Sequence, residues 1–70
     1  MMPLTMMNAG EKGTVQRITG NDETRRFLEN LGFVEGTPVS VVSTIDGNLI
    51  VNVKDSRVAI DKSMANRIMV

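Results

Sequence analysis

Along this chain the apolar positions follow first no period, then a helical one, then a broken alternation, and each change marks a boundary. In "MMPLTMMNAGEKG" Leu4 and Met7, ahead of the turn glycines Gly10 and Gly13, are expected to cover one end of a core. "TVQRI", Thr14 to Ile18, has the β-branched content of a first strand. Asn21 then caps a helix by accepting a backbone N–H, and Asp22 and Glu23 lie where the positive end of the helix dipole favours acids. Phe27, Leu28 and Leu31 fall at i, i+1 and i+4, which gathers them on one face, while Arg25, Arg26, Glu29 and Asn30 point to solvent. Gly32 ends the helix, because glycine enters the left-handed region at little steric cost, and Phe33 is expected to fold back on Leu28.

Alternation begins after a second turn at Glu35-Gly36. Pro38 suits the first position of a strand, where a missing N–H does no harm, and Val39 to Ile45 continues it. Asp46-Gly47 is a hairpin signal, and "LIVNVK" returns with Leu49, Val51 and Val53 on one face. Asp55-Ser56 is read as the next turn, leading into "RVAI" with Val58 and Ile60 inward. Lys62 to Asn66 is predicted as one helical turn capped by Ser63, and Ile68 and Val70 as a last strand. Short antiparallel strands in this order, with one helix after the first, predict a mainly β fold closed into a small barrel.

Composition narrows what such a barrel can do. Seventy residues make one domain, 1–70, and no second core. Eight basic residues balance eight acidic ones, so no global field draws phosphate backbones, and nucleic acid is not an expected partner. No apolar run approaches the roughly 20 residues of a spanning helix, so no direct membrane insertion is expected. Without histidine or cysteine the usual zinc, haem and iron–sulfur ligands are missing, as are the commonest base and nucleophile, so no cofactor and no catalysis are expected. "GEKG" at Gly10 to Gly13 lacks the spacing of a phosphate loop. Met1, Met2, Met6 and Met7 raise a soft-metal reading, but such methionines more often fill a core or fray. Grooves that read proline-rich peptides are lined with aromatic rings, and only Phe27 and Phe33 are present, both expected inside.

The series Leu4, Met7, Gly10, Gly13, Val15, Arg26-Phe27-Leu28, Leu31-Gly32-Phe33, Gly36, Val39, Val41, Ala59, Ala65 and Ile68 resembles the ferrous iron transport protein A (FeoA) family, with "LGFVEGTPVSVV" its most specific piece. Two turns depart from the family's pattern: Gly47-Asn48-Leu49 replaces Gly-Asp-Pro, and Asp55-Ser56 stands where glycine is frequent. The resemblance implies a single SH3-like β-barrel of about five strands. It also implies a cytoplasmic accessory of ferrous iron uptake, peripheral to the inner membrane through its partner, the GTP-binding cytoplasmic domain of the ferrous iron transporter.

Contacts with that partner are expected from Arg25, Arg26 and Glu29 on the helix and from Arg57; Gly32, Gly36, Phe27, Leu28, Leu31 and Phe33 are expected to be turn and core residues. Two other readings stand beside the adaptor. An exposed arginine acting in trans would make the protein a GTPase-activating regulator. Alternatively, the barrel is a small interaction module unrelated to iron. Weak self-association is left open.

Overall fold

The computed structural model describes residues 1–70. A 3₁₀ turn, Leu4–Met6, is followed by β1 (Lys12–Thr14), β2 (Arg17–Ile18), α1 (Asp22–Leu31), β3 (Pro38–Ile45), β4 (Asn48–Val53), β5 (Ser56–Asp61), α2 (Lys62–Ala65) and β6 (Ile68–Met69). All strand pairs are antiparallel and form a four-stranded sheet in the order β1-β3-β4-β5 and a two-stranded sheet of β2 and β6.

The expected first strand, Thr14 to Ile18, is divided. β1 ends at Thr14, paired with Pro38, while β2 begins at Arg17, paired with Met69. Between them the Val15 N–H donates to the Thr37 carbonyl at 2.9 Å and the Gln16 N–H to the Met69 carbonyl at 2.8 Å. One bent stretch of chain therefore serves both sheets, which is how strands turn the corner between packed sheets. The helix follows the second half of this stretch.

Local chemistry accounts for the helix ends. The Asn21 side chain accepts the Thr24 N–H at 2.9 Å, and Asp22 and Glu23 occupy the first turn. At the other end Gly32 has φ 112°, the Gly32 N–H donates to Glu29 at 2.9 Å and the Phe33 N–H to Leu28 at 3.0 Å. These are the paired bonds of a Schellman ending, and Phe33 and Leu28 are both fully buried in the same core. Glu35-Gly36 forms the second turn, with the Thr37 N–H donating to Val34 at 3.0 Å and Gly36 at φ 88°.

Two hairpins build the main sheet. Asp46-Gly47 joins β3 to β4 with φ values of 49° and 81°, as a two-residue turn requires. The next turn is Lys54-Asp55, not Asp55-Ser56: Lys54 takes φ 54°, and Ser56 is already paired with Val53. Leu49, Val51, Val53 and Ile60 line the core as expected, and Val58 is half-buried. Helix α2 is capped by Asp61, which accepts the Met64 N–H at 2.8 Å; Ser63 does not cap it. The chain ends meet, since Met2 and Val70 exchange hydrogen bonds of 2.9 and 2.8 Å and Pro3 bridges Met69.

Phe27 corrects another expectation. It is 49% exposed, while Leu28 and Phe33 are wholly buried and Leu31 is partly so. Thr24, Leu28 and Leu31 mark the centre of the inward arc, and Phe27, about 100° round the helix from Leu28, falls at its edge.

Candidate functional site

Two shallow hollows mark the surface. The larger, about 300 Å³, lies beside α1 and is lined by Ile18, Arg25, Glu29, Phe33, Val34 and Glu35. Its position follows from the fold: Arg25 and Glu29, one helical turn apart, form one wall, and the chain leaving the Schellman turn carries Phe33, Val34 and Glu35 beneath them. Ile18 and Phe33 are buried behind the hollow, and Val34 is the one hydrophobic side chain of the lining that is exposed. Neither the Arg25 guanidinium nor the Glu29 carboxylate makes any of the side-chain hydrogen bonds within the protein. Their full bonding capacity is open to an outside partner, beside the exposed Val34.

The second hollow, about 220 Å³, lies on the open face of the main sheet between Lys12, Pro38, Val39, Ser40, Asn52 and Lys54. Register explains its chemistry. Lys12 faces Ser40, Ser40 faces Asn52, and Asn52 faces Arg57, so four polar side chains form one row across four strands. Arg57 donates from Nε to Asn52 Oδ1 at 3.2 Å. With Lys54 beside it, the row carries positive charge at both ends.

The residues expected to bind a partner are thus not gathered in one place. Arg25 and Glu29 share the hollow beside α1, Arg26 is exposed on the same helix without lining it, and Arg57 belongs to the row on the sheet. Val34 and Glu35 were not among the expected contact residues, although "FVE" directly follows the glycine that ends the helix. Lys12 could be found only through strand register. Gly32 and Gly36 sit in turns and Leu28 and Phe33 in the core, in keeping with their expected places.

No group of three or more His, Cys, Asp or Glu side chains converges to hold a metal ion. Met7 is buried, while Met1, Met2 and Met6 are exposed. No helix is long and apolar enough to cross a membrane.

Comparison with known proteins gives this fold its relatives. A protein of Methanocaldococcus jannaschii described as a candidate Fe(2+) transport protein A is 30% identical over 70 residues, which is 100% of this chain and 85% of that one. The crystal structure of an iron uptake regulatory protein, FeoA, superposes with a TM-score of 0.89 at 34% identity, covering 96% of this chain and 89% of the other. FeoA from Stenotrophomonas maltophilia, solved in complex with zinc and described as a prokaryotic SH3 domain protein, superposes at 0.85 with 29% identity over 99% of this chain and 88% of its own. The side chains here do not offer zinc its usual ligands, since histidine and cysteine are absent and no three carboxylates converge. The SH3-like arrangement of two small sheets with one inserted helix agrees with these neighbours, and the FeoA domain family matches residues 2–70. This chain belongs to the FeoA domain family, whose place is in ferrous iron transport.

Proposed function

We propose that the protein is a non-catalytic accessory of ferrous iron uptake that acts in the cytoplasm by docking on the GTP-binding cytoplasmic domain of the ferrous iron transporter. The docking face is the flank of α1, with Arg25, Glu29 and Glu35 around the exposed Val34 and Arg26 extending the polar rim. The observation that carries this reading is a hollow of about 300 Å³ in which the exposed Val34 lies beside guanidinium and carboxylate groups that have no partner within the protein. Such a surface fits a partner that brings charges of both signs around a small apolar contact at Val34, and opposed charges at a rim set register and association rate. Arg57 lies on another face and has no part in this contact.

Calorimetric titration of the isolated GTP-binding domain, with and without nucleotide, tests the proposal. The expected result is association weakened at least tenfold by Arg25→Glu and by Glu29→Lys, with the rate of GTP hydrolysis unchanged. Absence of binding in both nucleotide states would overturn it. Acceleration of hydrolysis by tenfold or more, lost in Arg25→Ala or Arg26→Ala, would replace it with the GTPase-regulator reading.

A further inference from the structure

Strand β5 has a partner on one side only. It pairs with β4 and stands at the edge of the main sheet. The two-residue turn at Lys54-Asp55 makes Val53 and Ser56 a hydrogen-bonded pair, so alternation assigns Ser56, Val58 and Ile60 to bonds with β4 and turns the backbone groups of Arg57, Ala59 and Asp61 outward. The backbone groups of these three residues take no part in the hydrogen bonds that join turns and loops elsewhere in the protein. Only the Asp61 carbonyl has an internal use, as the first acceptor of α2. The side chains of Arg57, Ala59 and Asp61 are exposed, and no proline or bulge interrupts β5. Prolines and bulges are among the devices that keep natural edge strands from pairing with other chains; the charges β5 does carry, Arg57 and Asp61, are of opposite sign.

The order of charges along this edge identifies its occupant. Arg57 and Asp61 lie at equal distances on either side of Ala59, with opposite sign. Under an antiparallel two-fold centred on Ala59, each Arg57 lies opposite the Asp61 of the other copy and the two Ala59 residues face each other. A second copy is therefore complementary in charge, register and side-chain size. We propose that the protein forms a homodimer through antiparallel pairing of the β5 edges about Ala59, joining the two main sheets into one of eight strands.

Four intermolecular backbone bonds follow: each Ala59 N–H donates to the opposite Ala59 carbonyl, and each Asp61 N–H to the opposite Arg57 carbonyl. Arg57 exchanges its 3.2 Å bond to Asn52 for a charge-assisted one to the carboxylate oxygen of Asp61 that α2 does not use. Val58 and Ile60 alternate onto the opposite face, where the half-buried Val58 comes against Ile60 of the other copy. This interface lies apart from the hollow beside α1 and does not rest on the transporter reading.

Sedimentation velocity across a concentration series, with amide hydrogen exchange at each concentration, tests the proposal. The expected result is a reversible dimer in which the Ala59 and Asp61 amides slow as concentration rises. The Arg57 amide is expected to slow less, because its acceptor, the Asp61 carbonyl, is shared with α2. Ala59→Pro removes a donor with no partner in the monomer and is expected to weaken dimerisation at least tenfold. Arg57→Glu, which sets like charges opposite each other, is expected to do the same with an unchanged monomer fold. A chain that stays monomeric to millimolar concentration overturns the proposal, as does a dimer indifferent to both substitutions.

Discussion

Phe27 and Phe33 are the only aromatic side chains, six positions apart, one half in water and the other at the centre of the core. Truncating Phe33 removes a fully buried ring and leaves a cavity, so Phe33→Ala is expected to cost about 3–5 kcal/mol, enough to unfold most molecules of so small a domain. Phe27→Ala gives up only partial burial at a helix edge and should cost less than about 1 kcal/mol. Urea denaturation of the two variants checks the contrast. The sequence pattern could not separate the rings, because i, i+1 and i+4 spacing does not say which of the adjacent Phe27 and Leu28 faces inward. The half-buried Thr24 decides it, since Thr24, Leu28 and Leu31 run at i, i+4 and i+7, and a polar Thr was not counted as part of the apolar face. Gly32 was legible from its chemistry alone. A Cβ there would meet Val53 Cγ2 at 3.5 Å, an ordinary contact, so φ 112° rather than crowding sets the penalty. Gly32→Val should therefore cost about 1–3 kcal/mol, and an unchanged thermal midpoint would refute this account.

Helices and strands were legible where their signals are local. Asn21, Asp22, Glu23 and Gly32 act within α1, and the positive φ of Asp46-Gly47 is a property of those two residues. Where two neighbours could do the same job, the sequence left the choice open. Ser63 and Asp61 are both able caps, and the winner is the one whose extended backbone, φ −77° and ψ 168°, ends β5 and aims its carboxylate at the Met64 N–H. Asp61→Ala is expected to lower stability by about 1 kcal/mol, with Ser63→Ala within a few tenths of wild type, by thermal denaturation of the two single variants. Asp61→Asn retains an acceptor and should restore most of the loss. The divided first strand did leave a trace: in Val15-Gln16-Arg17-Ile18 the buried ends are separated by two exposed residues, which breaks the alternation a continuous strand needs.

At the scale of the molecule, strand count and turn spacing made a small barrel legible, but pairings between distant segments were not, because no local rule sets them. Lys12 joins Arg57 in one polar row only through the successive registers of β1, β3, β4 and β5, and the hollow beside α1 exists only because Ile18 is brought under the helix. The meeting of the chain ends is the most distant of these pairings. Met2 and Val70 exchange two backbone bonds, and Thr5 Oγ1 donates to Asn66 Oδ1 at 2.7 Å across 61 positions. Residues 2 and 3 therefore lie along the free side of β6, covering the edge of a sheet that has only two strands of its own. Deleting Met1–Pro3 uncovers that edge while leaving the buried Leu4 and Met7 in the chain. Two lost bonds at about 1 kcal/mol each give a loss of about 2 kcal/mol. For a domain of this size that lowers the thermal midpoint by about 8–16 °C. In the same variant the Val70 amide should exchange rapidly with solvent, while amides in the β3–β4 ladder keep their protection relative to global unfolding. A deletion variant with the wild-type midpoint and a protected Val70 amide would mean that the sheet of β2 and β6 holds without the first residues.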